Sequence, residues 1–227
     1  MSRRRPVVAI DGTTASGKST VARAVADILG FRHIDTGAMY RSVALASMKR
    51  CVDLGDAAAL TALAASLAIE FHPAPGGERV VLDGEDVTEA IRAPEVSTAA
   101  SIVSAVPGVR VALVARQQAL GSAGGIVMEG RDIGTVVFPN AEVKVFLGAS
   151  LEARTLRRHD ELRARGVEVG LDEVRRQEAE RDARDETRSH SPLRPADDAV
   201  ILDTTLLTSE QVVAAIVQLV RERTDVV

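Results

Sequence analysis

The segment from Gly12 to Ser19, GTTASGKS, constrains the fold of this chain more than any other feature, because it fits the pattern G-x-x-x-x-G-K-[ST]. A run of apolar and β-branched residues precedes it at positions 6–10, and a helical repeat follows from Lys18 to Leu29. A strand, a glycine-rich turn and a helix in this order are typical of a phosphate-binding loop, since backbone N–H groups of the turn and of the helix N-terminus point at one anion. The residues of this segment that we predict to contact a nucleoside triphosphate are Gly12, Thr13, Thr14, Ala15, Ser16, Gly17, Lys18, Ser19 and Thr20.

Two side chains of the phosphate loop have specific predicted roles. Lys18 reaches the β- and γ-phosphates, and Ser19 ligates the Mg²⁺ that accompanies the nucleotide. GTPases, motor proteins and kinases share such a loop, so the loop alone identifies only the triphosphate. The sequence has no Asn-Lys-x-Asp element for reading guanine, which disfavours a Ras-like GTPase, and the chain is short for a ring ATPase.

Strands alternate with helices along most of the chain, which predicts an α/β fold: a P-loop core with a five-stranded parallel sheet and helices on both faces. The middle of the chain differs, because Asp83-Gly84 joins two β-prone runs and indicates an antiparallel hairpin. We therefore assign residues 1–60 and 105–227 to the core and residues 61–104 to a small antiparallel-β/α insert. The predicted core strands are 6–10, 31–35, 126–128, 143–147 and 199–202, and the predicted helices are 18–29, 36–49, 56–67, 107–120, 151–165, 172–188 and 209–223, the last with Ser209 as its N-cap.

The composition disfavours several classes of partner. The 227 residues carry a net charge of −4 and include no Trp, one Tyr and four Phe, whereas proteins that bind polymeric nucleic acid are usually basic and rich in aromatic stacking surfaces. No apolar run approaches the roughly 18 residues that span a bilayer. We therefore predict a cytoplasmic monomer without a nucleic-acid or membrane partner. The single cysteine, Cys51, excludes an intramolecular disulfide and is typical of a small core residue.

A second motif, DTGAMYR at positions 35–41, follows the second predicted strand. The carboxyl ends of parallel strands face the ligand crevice, so Arg41 is placed to meet an anion across from the phosphate loop. A surface position for Arg41, and a helix-capping role for Thr36, are the alternatives.

With GEDV at 84–87, EGRDIGTVVFP at 129–139, RDARDETR at 181–188 and SPL at 191–193, this motif makes the chain resemble the bacterial cytidylate kinase family over nearly its whole length. One departure is that the family often has Pro and then small residues inside the phosphate loop, where this chain has Thr13, Thr14, Ala15 and Ser16.

The resemblance implies that the chain transfers the γ-phosphoryl group of ATP to CMP or dCMP and that the insert binds the nucleoside monophosphate. Cytosine presents an amino donor that a carboxylate accepts, and ring acceptors to which guanidinium and hydroxyl groups donate. From the residues alone, a local ion pair between Arg131 and Asp132 is an equal alternative. By resemblance, the CMP site consists of Ser101, Arg110 and Asp132 at the base, Arg41, Arg131 and Arg188 at the phosphate, Arg181 and Asp185 at the sugar, and Thr36 and Tyr40 beside them.

Arginines also concentrate on two predicted helices. Arg154, Arg157 and Arg158 share one helical face by their spacing, and such a cluster repels itself unless an anion lies among its members. A solvated charged face is the alternative. Residues 166–170 indicate a flexible tip between the two helices, so we assign residues 154–188 to a lid that places arginines over the phosphates. Arg157 is predicted to contact ATP, and the residues predicted to act in catalysis are Lys18, Arg131, Arg158 and Arg188.

Charge explains why a kinase of this type needs those groups. Donor and acceptor are both anions, so arginines and Mg²⁺ offset their repulsion and stabilise the transferred group. A phosphate monoester has its second pKa near about 6, so the acceptor is already ionised and no general base is required. Alternatives are another small-molecule kinase, acting on UMP, AMP or shikimate, and a regulatory P-loop module that hydrolyses ATP slowly.

Overall fold

The computed structural model describes residues 5–74, 77–188 and 190–224. The strands and helices of these ranges alternate as the sequence predicts. The strands are β1 (Val7–Gly12), β2 (Arg32–Asp35), β3 (Ile69–Ala74), β4 (Gly77–Leu82), β5 (Glu85–Asp86), β6 (Ile126–Gly130), β7 (Val143–Gly148) and β8 (Val200–Asp203). The helices are α1 (Lys18–Leu29), α2 (Thr36–Lys49), α3 (Ala57–Ser66), α4 (Pro94–Val103), α5 (Pro107–Gly121), α6 (Leu151–Ala164), α7 (Leu171–Thr187) and α8 (Ser209–Arg223).

Five strands form a parallel sheet in the order β2-β6-β1-β7-β8, which confirms the predicted core. Strand β1 lies at its centre and is buried on both faces, as the continuous apolar run of a central parallel strand requires. Val8 and Ile10 point to a core formed with α1 and α8, whereas Val7 and Ala9 point to a larger core formed with α2, α3, α4 and α5. Helices therefore cover both faces of the sheet.

The antiparallel part of the insert is also confirmed. Strands β3, β4 and β5 pair in that order, and the predicted Asp83-Gly84 turn joins the last two. Both turn residues have positive φ, 50° and 86°, the backbone that a two-residue hairpin turn with right-handed twist needs. Helix α3 precedes this sheet and α4 follows it, so the assigned insert 61–104 begins inside α3 and ends just after α4.

Several local predictions were wrong. Helix α4 and a five-residue π-helical turn, Ile133–Val137, were not predicted. Thr208 is the N-cap of α8, where it forms a capping box with Gln211, and Ser209 is the first helical residue. Asp35, and not Thr36, caps α2. Cys51 is exposed, because it lies in the turn after α2 with a positive φ of 52°.

Among the described residues no single helix is both long and apolar enough to cross a membrane. Helices α4 and α5 satisfy the length and composition of a span together, but a bend of 100° separates them.

Candidate active site

A cleft of about 560 Å³ lies at the carboxyl ends of the core strands, where the phosphate loop, α2, the insert and the α6–α7 pair meet. Its walls carry ten Lys and Arg side chains against seven Asp and Glu, although the whole chain has a net charge of −4. Positive potential is thus concentrated where the sequence predicts two anionic nucleotides to bind. Predicted site residues that line the cleft are Thr14, Ala15, Gly17, Lys18, Ser19, Thr20, Thr36, Tyr40, Arg41, Arg110, Arg131, Asp132, Arg158, Arg181, Asp185 and Arg188.

The phosphate loop is tied to its surroundings through backbone and hydroxyl groups. At Gly12, φ is 151° and an added Cβ would lie 2.1 Å from the Leu147 carbonyl oxygen, so only glycine fits against β7. Ser16 Oγ donates to the Thr13 carbonyl over 2.9 Å, and Arg131 donates to Thr14 Oγ1 over 2.6 Å. The hydroxyls of Thr14 and Ser16, two of the residues by which this loop departs from the family pattern, therefore hold the loop in place.

Lys18 points into the base of the cleft. It is buried and donates to the Thr13 carbonyl, and its Nζ lies 3.4 Å from Ser16 Oγ. Burial, and then the positive charge of Arg131, lower the pKa of Lys18 to about 7. A polyanion placed here would raise the pKa of Lys18 again and so restore its positive charge. The site therefore favours a negatively charged ligand over water.

Ser19 faces a carboxylate on the neighbouring strand β6. Its hydroxyl donates to Glu129 Oε2 over 2.9 Å, and the other carboxylate oxygen of Glu129 lies 3.0 Å from His33 Nε2. Thr36 Oγ1 donates to the Glu129 carbonyl over 2.7 Å, which fixes the end of β6. Burial alone would lower the pKa of His33, but the Glu129 carboxylate raises it above its usual value. A hydroxyl oxygen beside a phosphate loop is the kind of ligand that Mg²⁺ binds, and an anionic carboxylate lies next to it, so this environment fits that ion.

The predicted acceptor-phosphate side is a network of buried charges. Asp185 accepts a hydrogen bond from Arg131 Nε over 2.8 Å and pairs with Arg188 as well. Burial would raise the pKa of Asp185, but these two arginines lower it to about 2. Arg131 therefore pairs across the cleft with α7, and the alternative of a local ion pair between Arg131 and Asp132 is wrong.

Asp132 instead pairs with Arg110 of α5, and both side chains are at least nine-tenths buried. Arg110 also donates to the Ser104 carbonyl over 3.3 Å, and its guanidinium lies 5.5 Å above the ring of Tyr40. Burial raises the pKa of the Tyr40 hydroxyl to about 12. The result is a buried group of donors and acceptors at one end of the cleft.

Arg41 and Arg181, two further arginines predicted to bind the acceptor, differ in whether the protein supplies a partner for the guanidinium group. Arg41 is held by Asp35 of β2 over 2.6 Å. Arg181 is half-buried in the cleft wall, and its buried Nε has no hydrogen-bond partner among the described residues. Burial, and then Arg131, lower its pKa to about 10. Arg181 is thus a cation that a ligand oxygen could satisfy.

Ser101 is buried and does not line the cleft. Its hydroxyl accepts a hydrogen bond from Arg184 Nε of α7 over 3.0 Å. Ser97 and Ala100 of α4, and Ser104 directly after this helix, line the cleft in its place.

The three arginines of α6 have three different environments. Arg154 is buried and holds Asp182 of α7 over 2.6 Å, which joins the two helices. Arg157 donates to the Thr204 carbonyl over 2.5 Å and does not line the cleft. Arg158 does line it and bonds to Glu161 over 2.9 Å. Anionic and carbonyl oxygens of the protein itself therefore offset the repulsion that the sequence predicted, and Arg158 alone of the three faces the ligand space.

Sequence reasoning missed several polar residues of the cleft. Glu129 lies in the EGRDIGTVVFP motif but was given no role, and His33 was not named as a site residue, although both residues line the cleft. The sequence feature that could have identified them is the position of Glu129 at the end of a predicted strand beside the phosphate loop. Other charged lining residues that were not predicted are Arg23, Asp27, Asp35, Glu78, Arg92, Glu161 and Arg165.

Comparisons with known proteins identify the family to which this chain is similar. The family model described as cytidylate kinase matches residues 8–222. The chain is 50% identical to the cytidylate kinase of Geobacillus thermodenitrificans over 97% of its own length and 98% of the relative's, and 53% identical to that of Pelotomaculum thermopropionicum over 93% and 94%. A solved structure of an uncharacterized protein from Eubacterium ventriosum, 11% identical, matches 96% of this chain and 99% of its own with a TM-score of 0.53, which shows the fold alone.

Proposed function

The chain belongs to the cytidylate kinase family and is a nucleoside monophosphate kinase that phosphorylates CMP with ATP, and we propose how the residues of its cleft divide that work. ATP binds with its phosphates on the loop from Gly12 to Ser19, and CMP binds at the opposite end, between α2, the insert and α7. The observation that carries this arrangement is a single cleft that joins the phosphate loop to the buried Arg110–Asp132 pair.

The base is read by Arg110 and Asp132. The Asp132 carboxylate accepts from the amino group of cytosine, and Arg110 donates to the ring acceptors. Because each already holds the other, both are oriented before the base arrives, and little side-chain entropy is lost on binding. This pair reads the base alone, so it does not itself distinguish CMP from dCMP.

The phosphoryl group is transferred between groups of arginines. Arg41, Arg131 and Arg188 bind the acceptor phosphate, Arg181 and Asp185 bind the sugar, and Lys18 and Arg158 stabilise charge on the transferred group. Ser19 would hold Mg²⁺, which supplies charge neutralisation between the donor phosphates. The α6–α7 pair closes over the phosphates as a lid, which excludes water and limits wasteful hydrolysis.

The partners are the two nucleotides, without polymeric nucleic acid or membrane, and the chain acts as a cytoplasmic monomer. Its negative net charge and its scarcity of aromatic residues support the absence of polymeric nucleic acid.

An acceptor panel tests the function. ADP release from Mg-ATP is measured with CMP, dCMP, UMP, AMP, GMP and shikimate, and without acceptor. We expect stimulation by CMP and dCMP at least about a hundredfold above the other acceptors, because a site built to hydrogen-bond a base rejects analogues that leave its buried polar groups unpaired. Stimulation by another acceptor would overturn the roles of Arg110 and Asp132, and hydrolysis that no acceptor stimulates would favour the slow ATPase.

Nucleotide binding is expected to take up a proton at pH 8. With a pKa of about 7, Lys18 is mostly neutral at that pH in the free protein, and the phosphates of ATP raise its pKa. The phosphates themselves are fully ionised at pH 8, so they release nothing. Calorimetric titration of ATP in two buffers of different ionisation enthalpy should give uptake of nearly one proton, and Lys18→Met should abolish it. Equal heats in both buffers for the wild type would contradict the lowered pKa.

A further inference from the structure

The buried carboxylate of Glu129 has one partner on each oxygen. Ser19 donates to Oε2 from the phosphate loop, and His33 Nε2 lies 3.0 Å from Oε1. Glu129 is 2% exposed, so solvent does not compete for either oxygen. The orientation of its carboxylate is therefore set by these two contacts.

The hydrogen bond from Ser19 to Glu129 fixes the direction of the Ser19 hydroxyl proton, which matters for binding a metal-bound nucleotide. A serine hydroxyl that ligates a cation offers it a lone pair, so its proton has to point to another acceptor. Glu129 Oε2 is that acceptor, at 2.9 Å. A carboxylate that turned away would leave the hydroxyl free to rotate its proton toward the cation.

His33 keeps the carboxylate from turning. Strands β2 and β6 pair so that Asp35 lies opposite Glu129, two like charges as cross-strand neighbours. Arg41 pairs with Asp35, and His33, two residues earlier on the same side of β2, holds Glu129. The His33 side chain is 9% exposed and lines the cleft, with the insert residue Glu78 also lining it.

We propose that His33 is a positioning residue for the Mg²⁺-nucleotide site: it holds Glu129, which holds the Ser19 hydroxyl in the orientation that ligates the ion. This inference rests on the proposed role of Ser19 and not on the identity of the acceptor. In other proteins, substituting a residue that hydrogen-bonds to a metal ligand typically lowers metal affinity or activity by about 10- to 100-fold.

The test compares His33→Leu, which removes the donor, with His33→Gln, whose amide nitrogen reaches the position of Nε2. Binding of a fluorescent ATP analogue is titrated with Mg²⁺ and with EDTA. We expect His33→Leu to weaken binding about tenfold with Mg²⁺ and less than about twofold with EDTA, and His33→Gln to restore the Mg²⁺ value to within about threefold. His72→Leu removes a second His–Glu contact, exposed on β3, and should match the wild type in both conditions.

Equal weakening with Mg²⁺ and EDTA, no weakening, or a His33→Gln protein as weak as His33→Leu would each overturn the proposal, since a purely structural histidine gives those results. If His33→Leu does not fold, His33→Asn serves instead: it is polar but too short to reach Glu129, and we expect the same tenfold loss. The titration contains no acceptor. Failure of the CMP assay would thus refute the proposed function and leave this inference to its own result.

Discussion

Replacing Lys18 with methionine is expected to lower kcat at least about a thousandfold and at the same time to make the free protein more stable. The loss of activity follows from the position of Lys18 at the base of the cleft, where it is the lysine that meets the β- and γ-phosphates. Removing a single charged group that stabilises a transition state usually costs about a hundred- to a thousandfold in rate, and here donor and acceptor are both polyanions.

The gain in stability follows from burial. Lys18 is 7% exposed, and its pKa of about 7 means that folding disfavours its charged form. Between pH 7 and its usual value near 10.5 the unfolded chain binds more protons, so the free energy of unfolding of the wild type rises with pH over this range. Methionine fills a similar volume without a charge, and the Thr13 carbonyl keeps its bond from Ser16. We expect Lys18→Met to raise the free energy of unfolding at pH 7 by about 1–3 kcal/mol.

Denaturant unfolding at pH 7 and pH 10, together with steady-state kinetics, measures both effects. The gain should shrink at pH 10, because this pH is close to the usual pKa of 10.5 in the unfolded chain, so that keeping the folded lysine neutral costs little there. Lys49→Met is the control, since Lys49 is exposed and pairs with Glu85 on the surface, and it should change neither property. Loss of both activity and stability in Lys18→Met would show that Lys18 holds the loop together, and would contradict its role as a buried cation that serves the phosphates.

The parts of the fold that short-range patterns encode were predicted from the sequence. The phosphate loop is one example, since its glycines, its lysine and the flanking strand and helix are adjacent in the chain. The Asp83-Gly84 hairpin is another, because a two-residue turn with positive φ is a local property. The alternation of strands and helices then restricts the core to a parallel sheet.

Features that depend on contacts distant in sequence were missed. Helix α4 contains Ser, Thr and Val, which favour helices weakly, and its packing against α2 outweighs that preference. The π-helical turn at Ile133 is held by Asp11 of β1, whose carboxylate accepts from the Ile133 and Gly134 amides over 2.8 and 2.7 Å. That carboxylate lies 122 residues away from Ile133 in the chain.

The same reason explains which parts of the site were predicted. Motif residues such as Arg131 and Asp185 line the cleft as expected, but their partners were not evident. Arg131 was paired with Asp132 in one interpretation because they are adjacent, whereas the folded chain pairs it with Asp185, 54 residues later. The roles of these residues with nucleotides stay predictions until they are measured.

Asp132→Ala is expected to lower kcat/KM for CMP by at least about a hundredfold with little change in ATP binding, and to lower the free energy of unfolding by about 3–5 kcal/mol. The loss of CMP recognition follows from the missing acceptor for the cytosine amino group. The loss of stability follows from Arg110, which stays buried without its counter-ion. One substitution therefore produces two effects, and low activity alone would not separate recognition from unfolding.

Adding Arg110→Met separates them. A buried ion pair replaced on both sides by apolar groups usually costs little stability, so the double variant should recover most of what Asp132→Ala loses. It should not recover CMP phosphorylation, because neither base-reading group remains. Denaturant unfolding and acceptor titrations on both single variants and the double variant complete the cycle. A double variant that regained stability and CMP preference together would show that the pair only supports the fold, and that cytosine is read by other residues of the cleft.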